Sequence, residues 1–293
     1  LTHKPARQVA QALRARNAAM PLFLFTNREN AAQIPLEVLQ ISSDFIWLFE
    51  DSAAFIAGRV VAALRNYRAH VLPPMFKALA EFSMTHEYSW HTPGHTGGTA
   101  FMKAPAGRAF FDFFGENLFR SDLSISVGEL GSLLDHSGPI GEGEKYTAKV
   151  FGAHRSYHVT NGSSTSNRVI MMASVTRGQV ALCDRNAHKS IEHAIIMSGA
   201  VPTYMLTTRN HYGIIGPIPP KNMTKAAIAR SIAENPLVNG DVNSTPVHAI
   251  VTNSTYDGLC YNVERAEELL GQSVDRLHFD EAWYGYARFN PLY

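Results

Sequence analysis

Over its second half the chain alternates short apolar runs with helical stretches, and that alternation restricts the fold more than any other feature. Strand signals stand at Tyr157–Thr160, Gln179–Cys183, Val201–Leu206, Val247–Thr252 and Arg276–Asp280. Helical stretches fill 165–175, 188–198, 224–234 and 263–271 between them. Such an order predicts an α/β fold with an open, mostly parallel sheet and right-handed crossovers. Ligands in these sheets bind beyond the carboxyl ends of the strands. Function should therefore be sought in the residues that follow each apolar run.

The first half reads differently. Residues 5–19 have helical periodicity, with Val9, Leu13 and Ala18-Ala19 on one side and Arg7, Arg14 and Arg16 on the other. Pro21–Thr26 is a wholly apolar run ending at Asn27, as expected of a buried parallel strand. Residues 36–83 are then expected to be mostly helical, with a break at Pro73-Pro74. The amphipathic stretch Phe55–Leu64 suits either a helical linker or an oligomer interface. From Trp90 to Phe114 the density of Gly, Pro and aromatic residues predicts an ordered loop.

Composition narrows the function classes. A net charge of +1 offers no electrostatic case for nucleic acid or an anionic membrane as partner. Apolar content of 45% against 17% charged suits a globular chain with a large core. The two cysteines, Cys183 and Cys260, are too few for a disulfide framework, which fits a reducing cytoplasm. The chain opens on Leu1 and closes on Pro291-Leu292-Tyr293, and both ends are expected to be cut from a longer polypeptide.

Polar clusters follow the strand signals, as the fold requires. After Thr160 comes Asn161-Gly162-Ser163-Ser164-Thr165-Ser166-Asn167, a Gly turn with hydroxyls at a helix start. Backbone N–H groups, O–H donors and the positive dipole end together make a phosphate cup, or, more simply, an N-cap. After Cys183 comes Asp184-Arg185-Asn186-Ala187-His188-Lys189-Ser190. A His at such a turn either lies against a cofactor ring, acts as acid or base, or caps the loop. Adjacent side chains diverge, so Lys189 is expected near a phosphate or in a structural role. Thr252-Asn253-Ser254-Thr255-Tyr256-Asp257-Gly258 either bonds a cofactor phenolic oxygen through Ser254 and Thr255 or forms a plain turn. Asp280, followed by Glu281-Ala282-Trp283, suits a carboxylate held under an aromatic lid against a pyridinium nitrogen. That chemistry points to pyridoxal 5'-phosphate. The cofactor also needs a Schiff-base lysine, and no lysine follows Asp280.

Two patterns are set aside. His86-Glu87 with His91 and His95 has the residue types of a metal site, but Pro93-Gly94 interrupts any helix and the HExxH spacing is missing, so no metal is expected. Gly141-Glu142-Gly143-Glu144-Lys145 lacks the spacing of a Walker loop.

Four segments together resemble the bacterial Orn/Lys/Arg decarboxylases, fold-type I pyridoxal-phosphate enzymes. They are His91-Thr92-Pro93-Gly94-His95-Thr96-Gly97-Gly98, Gly131-Ser132-Leu133-Leu134-Asp135-His136, the Asp184–Ser190 turn and His278-Phe279-Asp280-Glu281-Ala282-Trp283. The resemblance implies the mostly parallel sheet of the aspartate-aminotransferase-type large domain over 91–293. It would be preceded by the end of a flavodoxin-like wing domain at 1–30 and a helical linker at 31–90. It implies that Ser163, Ser164 and Thr165 hold the phosphate, His188 stacks on the ring, Asp280 pairs with its nitrogen and Trp283 lines the pocket. The His91, Thr92 and His95 loop would lie near the active site. Ala187 stands where the family usually has Cys. The family's lysine belongs to a Ser-x-His-Lys segment downstream, which is absent here.

The activity so implied is α-decarboxylation of a basic amino acid, lysine or arginine and less readily ornithine, by a cytoplasmic homo-oligomer, a dimer or an assembly of dimers. Leu123–Leu130 looks like the lysine branch and Trp283–Pro291 like the inducible arginine branch. The alternatives are another fold-type I reaction, aminotransfer or a different lyase, and a non-catalytic assembly or regulatory piece.

Overall fold

The computed structural model describes residues 3–18, 20–48, 52–85, 90–124, 127–240 and 242–292. His86 and Glu87 of the His-rich loop, and Ile125 and Ser126 of the Leu123–Leu130 segment, lie outside the described residues. The chain divides into two compact units, one up to His158 and one from Val159.

The first unit opens with α1 (His3–Arg16), β1 (Phe23–Thr26), α2 (Arg28–Ala31), α3 (Leu36–Ile41) and β2 (Asp44–Trp47). β1 and β2 pair in parallel, with Phe23 opposite Asp44 and Thr26 opposite Trp47. The strand at 44–47 lies inside the stretch expected to be mostly helical; Asp44-Phe45-Ile46-Trp47 carries the aromatic and β-branched residues that suit a pleated surface. β1 is not buried as expected: Phe25 is 50% exposed, in a sheet of only two described strands. α4 (Ala53–Val71) and α5 (Pro74–Met84) follow, and the Pro73-Pro74 break falls between them, where Pro at the first helical position is tolerated.

The expected loop over 90–114 is a helix in its last third. α6 (Pro105–Phe114) starts on a proline and sets Phe110, Phe111 and Phe114 at helical spacing against Phe119 of α7 (Glu116–Ser121). Composition suggested loop, and aromatic packing decided for helix. α8 (Gly138–Phe151) completes the unit. Among the described residues no helix is long and apolar enough to cross a membrane.

The second unit is the expected α/β sheet. α9 (Ser163–Ser174), β3 (Gln179–Asp184), α10 (Lys189–Ser198), β4 (Val201–Met205), α11 (Lys225–Ala233), β5 (Asn243–Thr252), α12 (Val263–Leu270) and β6 (Leu277–Asp280) occur in that order. The strands pair in the order β4-β3-β5-β6, all in parallel. Side chains alternate between the two faces. Val180, Leu182, Ala249 and Val251 pack with Ile228 and Ile232 of α11 and Leu269 and Leu270 of α12. Ala181, Cys183 and Ile250 pack on the other face with Met171 of α9 and Ile191, Ala194 and Ile195 of α10. Full burial of a side chain such as Leu182 contributes about 1.5–3 kcal/mol, which makes the sheet a rigid base for the loops at its carboxyl edge.

Of the five strand signals, Tyr157–Thr160 forms no strand. In the first unit the His158 N–H donates to Glu144 Oε1 at 2.9 Å, and the Ser156 hydroxyl donates to the Glu144 carbonyl at 2.6 Å. A buried residue of α8 thus takes the one backbone donor, the His158 N–H, that a ladder could have used.

Candidate active site

Parallel pairing puts the carboxyl ends of β3, β5 and β6 on one edge, and a cavity of about 510 Å³ opens there. Its wall brings together Ser163, Ser164, His188, Lys189, Ser254, Thr255, Asp280 and Trp283. Of the expected second-unit residues only Thr165 is not part of the wall; its Oγ1 accepts from Arg168 Nη2 at 2.9 Å.

Each contribution has a local cause. Gly162, at φ +78°, occupies a conformation that L side chains avoid and turns the chain into α9. That helix has no side-chain cap and no acidic residue in its first turn. Its N-terminal positive end therefore faces the cavity beside two hydroxyls, a setting for an anion. At the end of β3, the fully buried Asp184 accepts from the Asn186 N–H at 2.8 Å and from the Thr252 N–H at 3.2 Å. It clamps two loops together. Burial pushes its carboxyl up from the ordinary carboxylate value, and the two N–H groups pull the other way.

His188 follows this clamp and caps α10, its Nδ1 accepting from the Ser190 N–H at 3.2 Å while its ring lines the cavity. Capping and cavity-facing roles coexist. At the end of β5, Asn253 donates to Glu281 Oε1 at 2.7 Å and accepts from the Tyr261 N–H at 2.9 Å. It holds the following residues in place. Thr255 Oγ1 accepts from the Leu259 N–H at 3.2 Å. Trp283, 63% exposed, meets Tyr256 edge-on with centroids 5.4 Å apart. Lys189 is exposed at the cavity wall.

Asp280 ends β6, opposite Thr252 and 7% exposed, and its Oδ2 accepts from Asn167 Nδ2 at 2.9 Å. Asn167 also donates to Ser190 Oγ at 2.9 Å, and its Oδ1 faces His278 Nε2 at 3.1 Å. His278 Nδ1 is 3.4 Å from His248 Nε2. Burial lowers both histidines to about 4; the neighbouring His278 and Arg276 add to the effect at His248, and Asp280 opposes it at His278. Sequence reading gave no role to Asn167 or Ser190. No local signal marked Asn167, which stands between Ser166 and Arg168 in the polar start of α9.

The His91, Thr92 and His95 loop belongs to the first unit. His91 Nδ1 lies 2.7 Å from the Thr92 carbonyl. His95 Nδ1 accepts from the Gly98 N–H at 3.1 Å, leaving Nε2 to Asp122 Oδ2 at 3.1 Å. Its ring stacks on Phe101. Among the described residues no three His, Cys, Asp or Glu side chains are grouped to hold a metal ion.

The second unit is thus an α/β domain with polar groups gathered at the carboxyl edge of its parallel sheet, and comparison with known proteins gives the class. The Orn/Lys/Arg decarboxylase major domain matches residues 73–293, and the N-terminal domain of the same family matches residues 3–67. The chain belongs to the Orn/Lys/Arg decarboxylase family. It is 52% identical over 292 residues to the biodegradative arginine decarboxylase of Escherichia coli, covering 99% of this chain and 39% of that protein. It is 49% identical over 289 residues to a lysine decarboxylase of Pseudomonas aeruginosa, covering 98% of this chain and 38% of that one. The solved structure of lysine decarboxylase A from Pseudomonas aeruginosa superposes with a TM-score of 0.85 at 48% identity, over 99% of this chain and 39% of that chain. The chain thus spans well under half the length of these relatives.

Proposed function

We propose that this chain forms the pyridoxal 5'-phosphate pocket of an enzyme that decarboxylates a basic amino acid, lysine or arginine, to the amine and carbon dioxide. One observation carries this reading: hydroxyls at a helix N-terminus, a histidine ring and a buried carboxylate converge on a single cavity. That donor set fits the group. A phosphate ester wants N–H and O–H donors, and a protonated ring nitrogen wants a carboxylate.

Bound there, pyridoxal phosphate supplies an electron sink for the bond between Cα and the carboxylate. Ser163 and Ser164 hold the phosphate, with Thr165 steadying the helix start through Arg168. His188 stacks on the ring. Asp280 keeps the ring nitrogen protonated, which sustains the sink. Ser254 and Thr255 lie where the phenolic oxygen can be met, and Trp283 with Tyr256 shields the mouth from water. Lys189 adds positive charge near the phosphate. The Schiff-base lysine is assigned to no residue of this chain. Exchange of the carboxylate for a proton at Cα would release carbon dioxide and consume one proton per turnover, as acid tolerance would use, while the amine product would serve polyamine supply.

In the same reading the first unit supplies the tail of a flavodoxin-like wing, with β2 added to it, and a helical linker. Residues 91–293 form the cofactor domain, and the His91, Thr92 and His95 loop serves the active site. Phe55, Val61 and Leu64 of α4, all exposed, supply an apolar surface for a cytoplasmic homo-oligomer.

Release of carbon dioxide from lysine, arginine and ornithine, assayed in parallel with the intact protein and added pyridoxal phosphate, tests the reaction. Lysine or arginine is expected to react fastest and ornithine least. No release from any of the three by cofactor-loaded protein would sink it.

A further inference from the structure

We propose that Asn167 is the positioning residue of this pocket, fixing Asp280 Oδ2 as an acceptor and joining Asp280 to the turn that carries His188. The effect on the cofactor rests on the reading above, whereas the hydrogen-bond logic stands without it.

Asn167 lies near the start of α9, 3% exposed, on the same helix as the core residue Met171. An amide buried there is costly unless its polar atoms are paired. They are paired: Nδ2 donates to both Asp280 Oδ2 and Ser190 Oγ, and Oδ1 meets His278 Nε2. These are both amide hydrogens and the carbonyl.

The orientation of the amide follows from chemistry. A carboxylate can only accept, so the NH2 faces Asp280 and Oδ1 faces His278, which must then donate from Nε2. Ser190 Oγ accepts from Asn167, so its own hydrogen points to His188 Nδ1 at 2.9 Å. His188 Nδ1 already accepts from the Ser190 N–H, and the ring's hydrogen is therefore on Nε2. His278 Nδ1 is left to accept from His248 Nε2.

Were Asp280 to take a proton on Oδ2, it would donate to Asn167 and the amide would have to turn over. His278 would then have to accept at Nε2 and move its own hydrogen to Nδ1, against the His248 N–H. A proton on Oδ2 thus means rearranging a chain of buried groups, and any proton Asp280 takes is left to Oδ1. The tautomer of His278 reports whether Oδ2 accepts from Asn167. Burial keeps both histidines neutral at neutral pH, so a single tautomer is the relevant state.

The test is solid-state 15N spectroscopy of histidine-labelled intact protein, free of cofactor, with the His278 signal assigned by its loss in His278→Gln. The hydrogen is expected on Nε2; a hydrogen on Nδ1 overturns the proposal. In parallel, Asn167→Leu keeps the volume and removes all three bonds. Its dissociation constant for pyridoxal phosphate should rise roughly ten- to a hundredfold, as loss of a charge-assisted, buried partner implies. Wild-type affinity in Asn167→Leu overturns the proposal. If that variant does not fold, Ser190→Ala, which cuts only the link to His188, should weaken the cofactor about tenfold with the His278 signal unmoved; unchanged affinity there overturns the link. Wild-type protein that binds no pyridoxal phosphate sinks the cofactor reading instead, and the His278 tautomer alone then judges the network.

Discussion

Replacing Asp280 by Asn is expected to lower kcat/KM for the basic amino acid roughly 10²–10³-fold, the cost of removing one preorganised electrostatic partner. The fold should survive, because the substitution is nearly isosteric and the introduced amide can still accept from Asn167 through its oxygen. That bond turns the new NH2 toward the cavity and puts a donor where the ring nitrogen's hydrogen needs an acceptor. Steady-state kinetics on the intact protein, beside a circular-dichroism melt, separates the outcomes. Activity within a few-fold of wild type, in a folded variant, would remove Asp280 from the chemistry.

The second large effect concerns acid. His248 and His278 are buried side by side on β5 and β6, and His248 Nδ1 has no hydrogen-bond partner among the described residues. Burial lowers both from an ordinary value of 6.5 to about 4. A depressed histidine binds its proton in the unfolded chain before it does so in the folded one. Its contribution to stability is therefore complete above pH 6.5 and lost as the pH falls toward 4. A shift of that size corresponds to about 3 kcal/mol for either histidine. Hydrogen exchange at the amides of β5 and β6, corrected for intrinsic rates, should show protection falling between neutral pH and pH 4. His248→Gln should flatten that slope, and an unchanged slope would mean that the pair carries none of the pH dependence.

The sheet was legible because its strands are continuous apolar runs separated by helices of ordinary length. Gln179–Cys183 and Arg276–Asp280 match β3 and β6 to within a residue. Tyr157–Thr160 has the same local character and forms no strand, since its backbone meets Glu144, a residue distant in sequence. Composition misled over 105–114, where Pro105 and Gly107 outweighed the spacing of the phenylalanines that make α6 a helix. At the cavity, Ser163, His188 and Asp280 could be found because each follows a turn or strand end. Asn167 could not: its partners Ser190 and Asp280 are 23 and 113 residues away, and only the fold brings the three together. The Asp184 clamp was hidden for the same reason, since its bond to Thr252 spans 68 residues.

The most direct measurement is the visible absorbance of pyridoxal phosphate bound to the intact protein, titrated to saturation in wild type and in the Ser163→Ala/Ser164→Ala double variant. Stoichiometric binding is expected in wild type, and binding weakened by at least tenfold when both hydroxyls are removed. Absence of bound cofactor in wild type, or binding indifferent to Ser163 and Ser164, would contradict the proposed pocket.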